Sequence, residues 1–386
     1  MGHQSVCVGP DERVPPKKTD LTSRSLQEAD PTITSHRETY LQKTDKPGEN
    51  DTFWAFFQPE ISLRPVLTVR KDQRRRYPMI PRELCQPNLN FLGLPEELAD
   101  PTTARVWVLP VPYEATTTYG AGTRNGPMAI LSASRQVELY DHRHGCEPAE
   151  RLGFATLPPM DITVSTPEAM INRLAAAVET VFFHPPSPEL LVVLGGEHSI
   201  SAGVARGLAR VVDAGGLVCV QVDAHADLRD EFEGSPFNHA CAARRIAEVC
   251  PVFQIGIRNI SKEEAEFCPT ASTIQTFFRE QWGPSGVNAL RDFVRGKTVY
   301  LTIDLDGLDP SIMPAVGTPE PGGLLWHELL EIIRTIAEAA ARIPVMDVVE
   351  LAPIPGMIAP DFLAAKLIYW AAADLLLPRC DPDRRG

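Results

Sequence analysis

The sequence predicts a three-layer α/β/α sandwich with a mainly parallel central sheet, preceded by an N-terminal extension. Three observations carry that prediction. Continuous apolar runs of strand length recur from about residue 88 onward, helical patterns lie between them, and no internal repeat interrupts the alternation. Strands buried on both faces of a parallel sheet read as continuous rather than alternating apolar runs. Strand–helix alternation in turn implies right-handed crossovers, with helices covering both faces of the sheet.

In chain order, residues 1–87 form the expected extension, which is polar, Pro-containing and partly irregular. Its basic run "RKDQRRR" (70–76) reads as a solvated surface, whereas "DTFWAFF" (51–57) is too apolar for pure linker and is expected to pack, for example on a neighbouring subunit. The α/β domain is expected over 88–386, beginning with the strand "ARVWVLPVPY" (104–113). A helix then spans "TPEAMINRLAAAVETVFF" (166–183), with Thr166 as N-cap, Pro167 at the first helical position and Glu168 in the first turn. Strands follow at "LLVVLGG" (190–196), "LVCVQVD" (217–223), "VFQIGI" (252–257) and "TVYLTID" (298–304). A long amphipathic helix over 324–342, rich in good helix formers, precedes the last strand, "VMDVVE" (345–350).

Composition narrows the function. The apolar fraction of 44% permits a sizeable core. A formal charge of −13 argues against nucleic-acid and anionic-membrane partners, both of which favour basic faces. The eight cysteines form no CxxC pair and no dense framework, which points to a reducing cytoplasm. Residues 1–13 have no apolar signal core, and no stretch reaches the ~18 apolar residues that cross a bilayer. The sequon at Asn259 reads as a chance match in such a chain. No GxGxxG follows a strand, so a dinucleotide-binding protein is poorly supported.

Polar clusters follow three of the strands: "GGEHS" (195–199), "DAHAD" (223–227) and "DLDGLDP" (304–310). Open parallel sheets bind ligands at the carboxyl ends of their strands, so these clusters converge there. Residues two apart share a face of an extended segment, which groups Asp223, His225 and Asp227, and likewise Asp304 and Asp306. With His198, the pocket gathers four carboxylates and two imidazoles. Four clustered carboxylates repel one another, and a pair of divalent cations removes the conflict. Mixed nitrogen and oxygen ligation suits several metals, with manganese favoured where carboxylates dominate.

These segments resemble the ureohydrolase family of arginase, agmatinase, formiminoglutamase and guanidine hydrolases. The match rests on "GGEHS", "VDAHADL", "TIDLDGLDPSIMPAVGTPEPGGL" (302–324) and "VVELAP" (348–353), and extends to "VPYEATTTYGAGTRNGP" (111–127) and "EGSPFNHACAARR" (233–245). It runs from about residue 90 to 375, leaving the extension outside, and its wording is nearest to agmatinase-like members. The resemblance implies an arginase-like catalytic domain, a homotrimer or homohexamer, and two metals, manganese first with nickel as the alternative. It implies that one metal is held by His198, Asp223, Asp227 and Asp304, and the second by Asp223, His225, Asp304 and Asp306. Metals about 3.5–4 Å apart share a water and deprotonate it near neutral pH, ready to attack a guanidinium carbon.

The resemblance also implies that Glu350 binds the planar, cationic guanidinium, whose hydrogen bonds call for a carboxylate. His239, in "SPFNHA", matches the loop histidine that shuttles a proton in some members. Glu197 stands where many members have Asp, in a position supporting the metal ligands rather than among them. After "DAHAD" this chain reads "LRDEFEGSPFNHA" (228–240), and the acids Asp230, Glu231 and Glu233 suggest a rim for a substrate's distal ammonium. Agmatine, giving putrescine and urea, is therefore the expected substrate. Guanidine and guanidino acids are the alternatives, guanidine because a long extension could cover the pocket. Intact residues at all six ligand positions argue against a metal-free structural paralogue.

Overall fold

The computed structural model describes residues 89–212 and 216–377. The stretches 51–57 and 70–76, and with them the expected extension over 1–87, lie outside the described residues. Eight strands run through the described chain: β1 (Val106–Val111), β2 (Phe154–Thr156), β3 (Leu190–Gly195), β4 (Leu217–Val222), β5 (Val252–Ile257), β6 (Ile274–Phe278), β7 (Thr298–Asp304) and β8 (Arg342–Val349). They form one sheet in the order β2-β1-β3-β8-β7-β4-β5-β6, and every pairing is parallel. Ten helices accompany them: α1 (Glu96–Ala99), α2 (Gly126–Ser134), α3 (Pro148–Leu152), α4 (Pro167–Phe183), α5 (Ser201–Leu208), α6 (Ala242–Ala247), α7 (Lys262–Phe267), α8 (Pro284–Val294), α9 (Trp326–Ala339) and α10 (Ala359–Leu376).

The layers follow from strand periodicity. Val106 and Val108 of β1 pack into one core with residues of α2, α8, α9 and α10. Trp107 and Leu109, alternating with them, enter a second core with residues of α4, α5 and α6. Successive side chains point to opposite faces, so one apolar run feeds both cores. That is the expected three-layer sandwich. No helix among the described residues is long and apolar enough to cross a membrane.

Helix ends obey local chemistry. Thr166 caps α4, its hydroxyl accepting the Ala169 amide at 3.1 Å, with Pro167 in the first turn. The expected helix over 324–342 ends earlier, at Ala339. Ala340 turns extended, and the amides of Ala341 and Arg342 donate to the Lys297 carbonyl, so pairing beside β7 captures residues whose propensity is helical. Two glycines permit close backbone approach at the strand ends. A Cβ on Gly196 would collide with the Tyr113 carbonyl, and one on Gly307 would lie 2.9 Å from the Asp223 amide nitrogen.

Candidate metal centre

The predicted site residues come from four adjacent strands. His198 follows β3, Glu350 follows β8, Asp304 ends β7 with Asp306 just beyond, and Asp223, His225 and Asp227 follow β4. His198 Nδ1 lies 3.1 Å from carboxylate oxygens of Asp223, Asp227 and Asp304. His225 Nδ1 lies 2.9 Å from Asp306 and 3.7 Å from Asp223. Two groups could each hold a cation: His198, Asp223 and Asp227, and Asp223, His225 and Asp306. Asp223 belongs to both.

Neighbouring groups orient these side chains. His198 Nε2 lies 3.0 Å from the Thr302 hydroxyl, so one ring nitrogen is held while Nδ1 faces the three carboxylates. Nδ1 is buried and has no hydrogen-bond partner, although three carboxylates surround it. An unpaired nitrogen among acids fits a cation's place better than a proton's. Asp223 accepts from Gln221 Nε2 at 2.7 Å and from the His225 amide at 2.6 Å. Asp304 accepts the Asp306 amide at 2.9 Å, and Asp306 accepts the Ala224 amide at 3.1 Å. Asp227 and Glu350 hold left-handed backbones, with φ of 52° and 67°. Non-glycine residues adopt that region at a cost that cores tolerate chiefly at functional positions.

The charges conflict as the sequence suggested. Burial and then Asp223 push the Asp227 carboxyl up to about 7. Burial, then Asp306 and Asp223, drive Asp304 well above the carboxylate range. Burial disfavours a charged His225, but Asp306 beside it prevails and pushes the imidazole up to about 11. Burial likewise disfavours the Asp306 anion, yet His225 holds it at about 2. Such a cluster is short of positive charge.

Glu350 is buried, and its Oε1 accepts the His198 amide at 2.6 Å. Burial first, then Glu197 and Asp306, raise its carboxyl well above the ordinary value. His239 lines the cavity above the cluster, beside Thr116. Glu197 is fully buried and accepts the Ala115 and Thr116 amides at 2.6 and 2.7 Å, so it supports the site rather than facing the cation positions.

The expected acidic rim is different. Asp230, Glu231 and Glu233 do not line the cavity, and Asp230 pairs with Arg245 at 2.7 Å and Arg244 at 3.8 Å. The wall is formed instead by Tyr119, Arg229, Phe232 and Glu264. Arg229 stacks 4.5 Å above the Phe232 ring, with its Nε 4.0 Å from Glu264. Thr302 and Gln221 were also missed by motif reasoning. Each is a polar residue two positions before a proposed ligand in an otherwise apolar strand, and that break in pattern was the available signal.

Proteins similar to this chain include ureohydrolases. An N(1)-aminopropylagmatine ureohydrolase from Synechocystis is 39% identical over 281 residues, covering 71% of this chain and 90% of the relative. An agmatinase from Pyrococcus horikoshii is 32% identical over 266 residues, covering 68% of this chain and 89% of its own. The crystal structure of agmatine ureohydrolase from Thermoplasma volcanium matches with a TM-score of 0.64 at 29% identity, over 72% of this chain and 92% of that one. A family model described as the arginase family matches residues 104–373, and the chain belongs to that family, as a hydrolase of C–N bonds in amidines.

Proposed function

We propose that this chain hydrolyses a linear guanidino amine, agmatine first, to urea and a diamine, at a centre of two divalent metals, manganese in the first instance. The observation that carries the reading is the unpaired His198 Nδ1 facing three carboxylates, with Asp223 shared by a second group. His198, Asp223, Asp227 and Asp304 would hold one ion, and Asp223, His225, Asp304 and Asp306 the other. When bound, the ions supply a water made acidic enough to react near neutral pH. Glu350 keeps one oxygen on the His198 amide and has the other for the substrate's guanidinium. Water oxygen bonds to the guanidino carbon, the C–N bond to the alkyl chain breaks, and both water protons end on the departing amine. His239 delivers a proton to that nitrogen. The exposed Tyr119 ring offers the distal ammonium a cation–π face.

Arg229 favours a second reading. A cationic side chain in the wall suits a guanidino acid, whose distal carboxylate it could bind. A urea-release screen decides, run with manganese and with nickel over agmatine, N(1)-aminopropylagmatine, arginine, guanidinobutyrate and guanidine. The guanidino amines should give the highest kcat/KM. Preference for guanidinobutyrate, lost in Arg229→Ala, would replace the amine reading with the acid one. No urea from any substrate, with metals bound, would overturn both. Sedimentation of the same preparation tests the trimer or hexamer the family suggests.

A further inference from the structure

A chain of hydrogen bonds leads from the buried Glu197 to the ring of His239. Glu197 Oε2 accepts the Ala115 and Thr116 amides at 2.6 and 2.7 Å, and its Oε1 accepts the Ser199 and Thr116 hydroxyls at 2.6 and 2.7 Å. Four donors face two oxygens and fill their lone pairs. The Thr116 hydroxyl therefore spends its one hydrogen on Glu197. The His239 amide donates to the same hydroxyl oxygen at 3.0 Å, and His239 Nδ1 lies 3.3 Å from it. A hydroxyl has one hydrogen and two lone pairs, so toward Nδ1 it can only accept.

We infer that Glu197, acting through Thr116, fixes neutral His239 as the Nδ1–H tautomer and leaves Nε2 as the nitrogen that takes up and releases protons. Thr116 and Glu197 are thus positioning residues for the shuttle, and the inference rests on His239 having that role. Burial keeps the imidazole below its ordinary value; His198 and His225 press the same way, while Glu197 and a hydrogen bond to the Thr116 backbone oppose. The Phe232 ring meets the imidazole edge-on, 6.4 Å between centroids. The resting ring is therefore neutral at alkaline pH, where its tautomer has meaning.

Glu197→Gln reverses the chain. The amide NH2 cannot face the two backbone amides, so it occupies the Oε1 position and donates to Thr116. That frees the Thr116 hydrogen to point at Nδ1, and the ring proton moves to Nε2.

Neutron diffraction at about pD 9 reads the tautomer directly. Deuterium on Nδ1 alone in the parent protein, and on Nε2 alone in Glu197→Gln, is the expected pair. Deuterium on Nε2 in the parent, alone or with Nδ1, overturns the inference, as does an unchanged Nδ1 tautomer in the variant. Kinetics give a second check, because general acid–base groups contribute about 10²–10⁴-fold. Thr116→Val should lower kcat roughly ten- to a hundredfold, short of the full range because the imidazole itself remains, with KM near the parent value, and Thr116→Ser should restore it. A loss of kcat in Thr116→Ser equal to that in Thr116→Val would also overturn the inference. Full activity in His239→Ala would remove the shuttle reading itself, a failure distinguishable from a wrong tautomer in the neutron maps.

Discussion

Glu350 separates substrate binding from construction of the metal site. Its Oε1 is committed to the His198 amide, so Glu350→Gln can keep that bond and turn its NH2 toward the substrate. A guanidinium offers only donors, so NH2 would face NH2 in a desolvated pocket. Breaking one partner of a buried charge pair costs about 2–5 kcal/mol. At about 1.36 kcal/mol per tenfold, kcat/KM should fall roughly thirtyfold to several thousandfold, with metal content unchanged. Loss of metal from that variant would make Glu350 part of the cation site instead. Asp304→Asn should do the opposite and empty the centre, because its carboxylate faces His198 Nδ1 and also takes the Asp306 amide. Elemental analysis finding two metals per chain in that variant would refute the ligand assignment. At this scale the sequence was highly readable. Polar residues spaced two apart after apolar runs, such as Asp223, His225 and Asp227, need no tertiary information to be grouped on one side. The rim was misread because spacing does not show that Asp230 faces Arg245 rather than the cavity.

Among the elements, α10 is held by a buried ionic clamp. Asp141 accepts from Arg143 at 2.6 Å and from His144 at 3.0 Å, while Arg143 reaches Asp374 on α10 at 2.8 Å and lies 3.9 Å over the Trp370 ring. Burial works against the Asp141 anion, but His144 and Arg143 outweigh it and hold the carboxyl well below its usual range. A depressed carboxyl contributes stability above the ordinary value of about 3.9 and loses it as pH falls toward its folded value. Asp141→Asn, which leaves Arg143 with Asp374 as its remaining carboxylate, should cost about 1.5–3 kcal/mol near pH 7. Thermal unfolding of parent and variant from pH 7 to pH 3 should show the gap closing below about pH 4. A gap that widens with acid would mean the carboxyl is not ionised in the folded state. Elements differed in how well the sequence announced them. Six strands were legible from unbroken apolar runs, but β2 and β6 are short, and β6 is only partly buried, so neither stands out. The helix α10 is buried on most sides and lacks a polar stripe, which hides its period.

For the molecule as a whole, the centre joins strands that have few other reasons to be so acidic at their ends. Metal that binds only the folded chain stabilises it by mass action, by about 2.7 kcal/mol at a hundredfold excess over Kd. Chelation should therefore lower Tm by several degrees, and manganese should restore it. A Tm indifferent to chelator would mean that folding and metal are not linked. The sheet order has a consequence for synthesis. The last strand among the described residues, β8, lies in the middle, between β3 and β7. Until it emerges from the ribosome, the nascent chain can build only two half-sheets, one ending in β3 with His198 and the other in β7 with the acids from β4 and β7. The wait between β3 and β8 is on the order of ten seconds at typical translation speeds. During it two apolar sheet edges stand open, one on each half, with no cation site between them to draw the halves together. Arrival of β8 closes both edges at once and carries His198 to the acids, so a ribosome stalled before residue 342 would hold a chain with Asp223, His225 and Asp306 already gathered on one half and His198 stranded on the other.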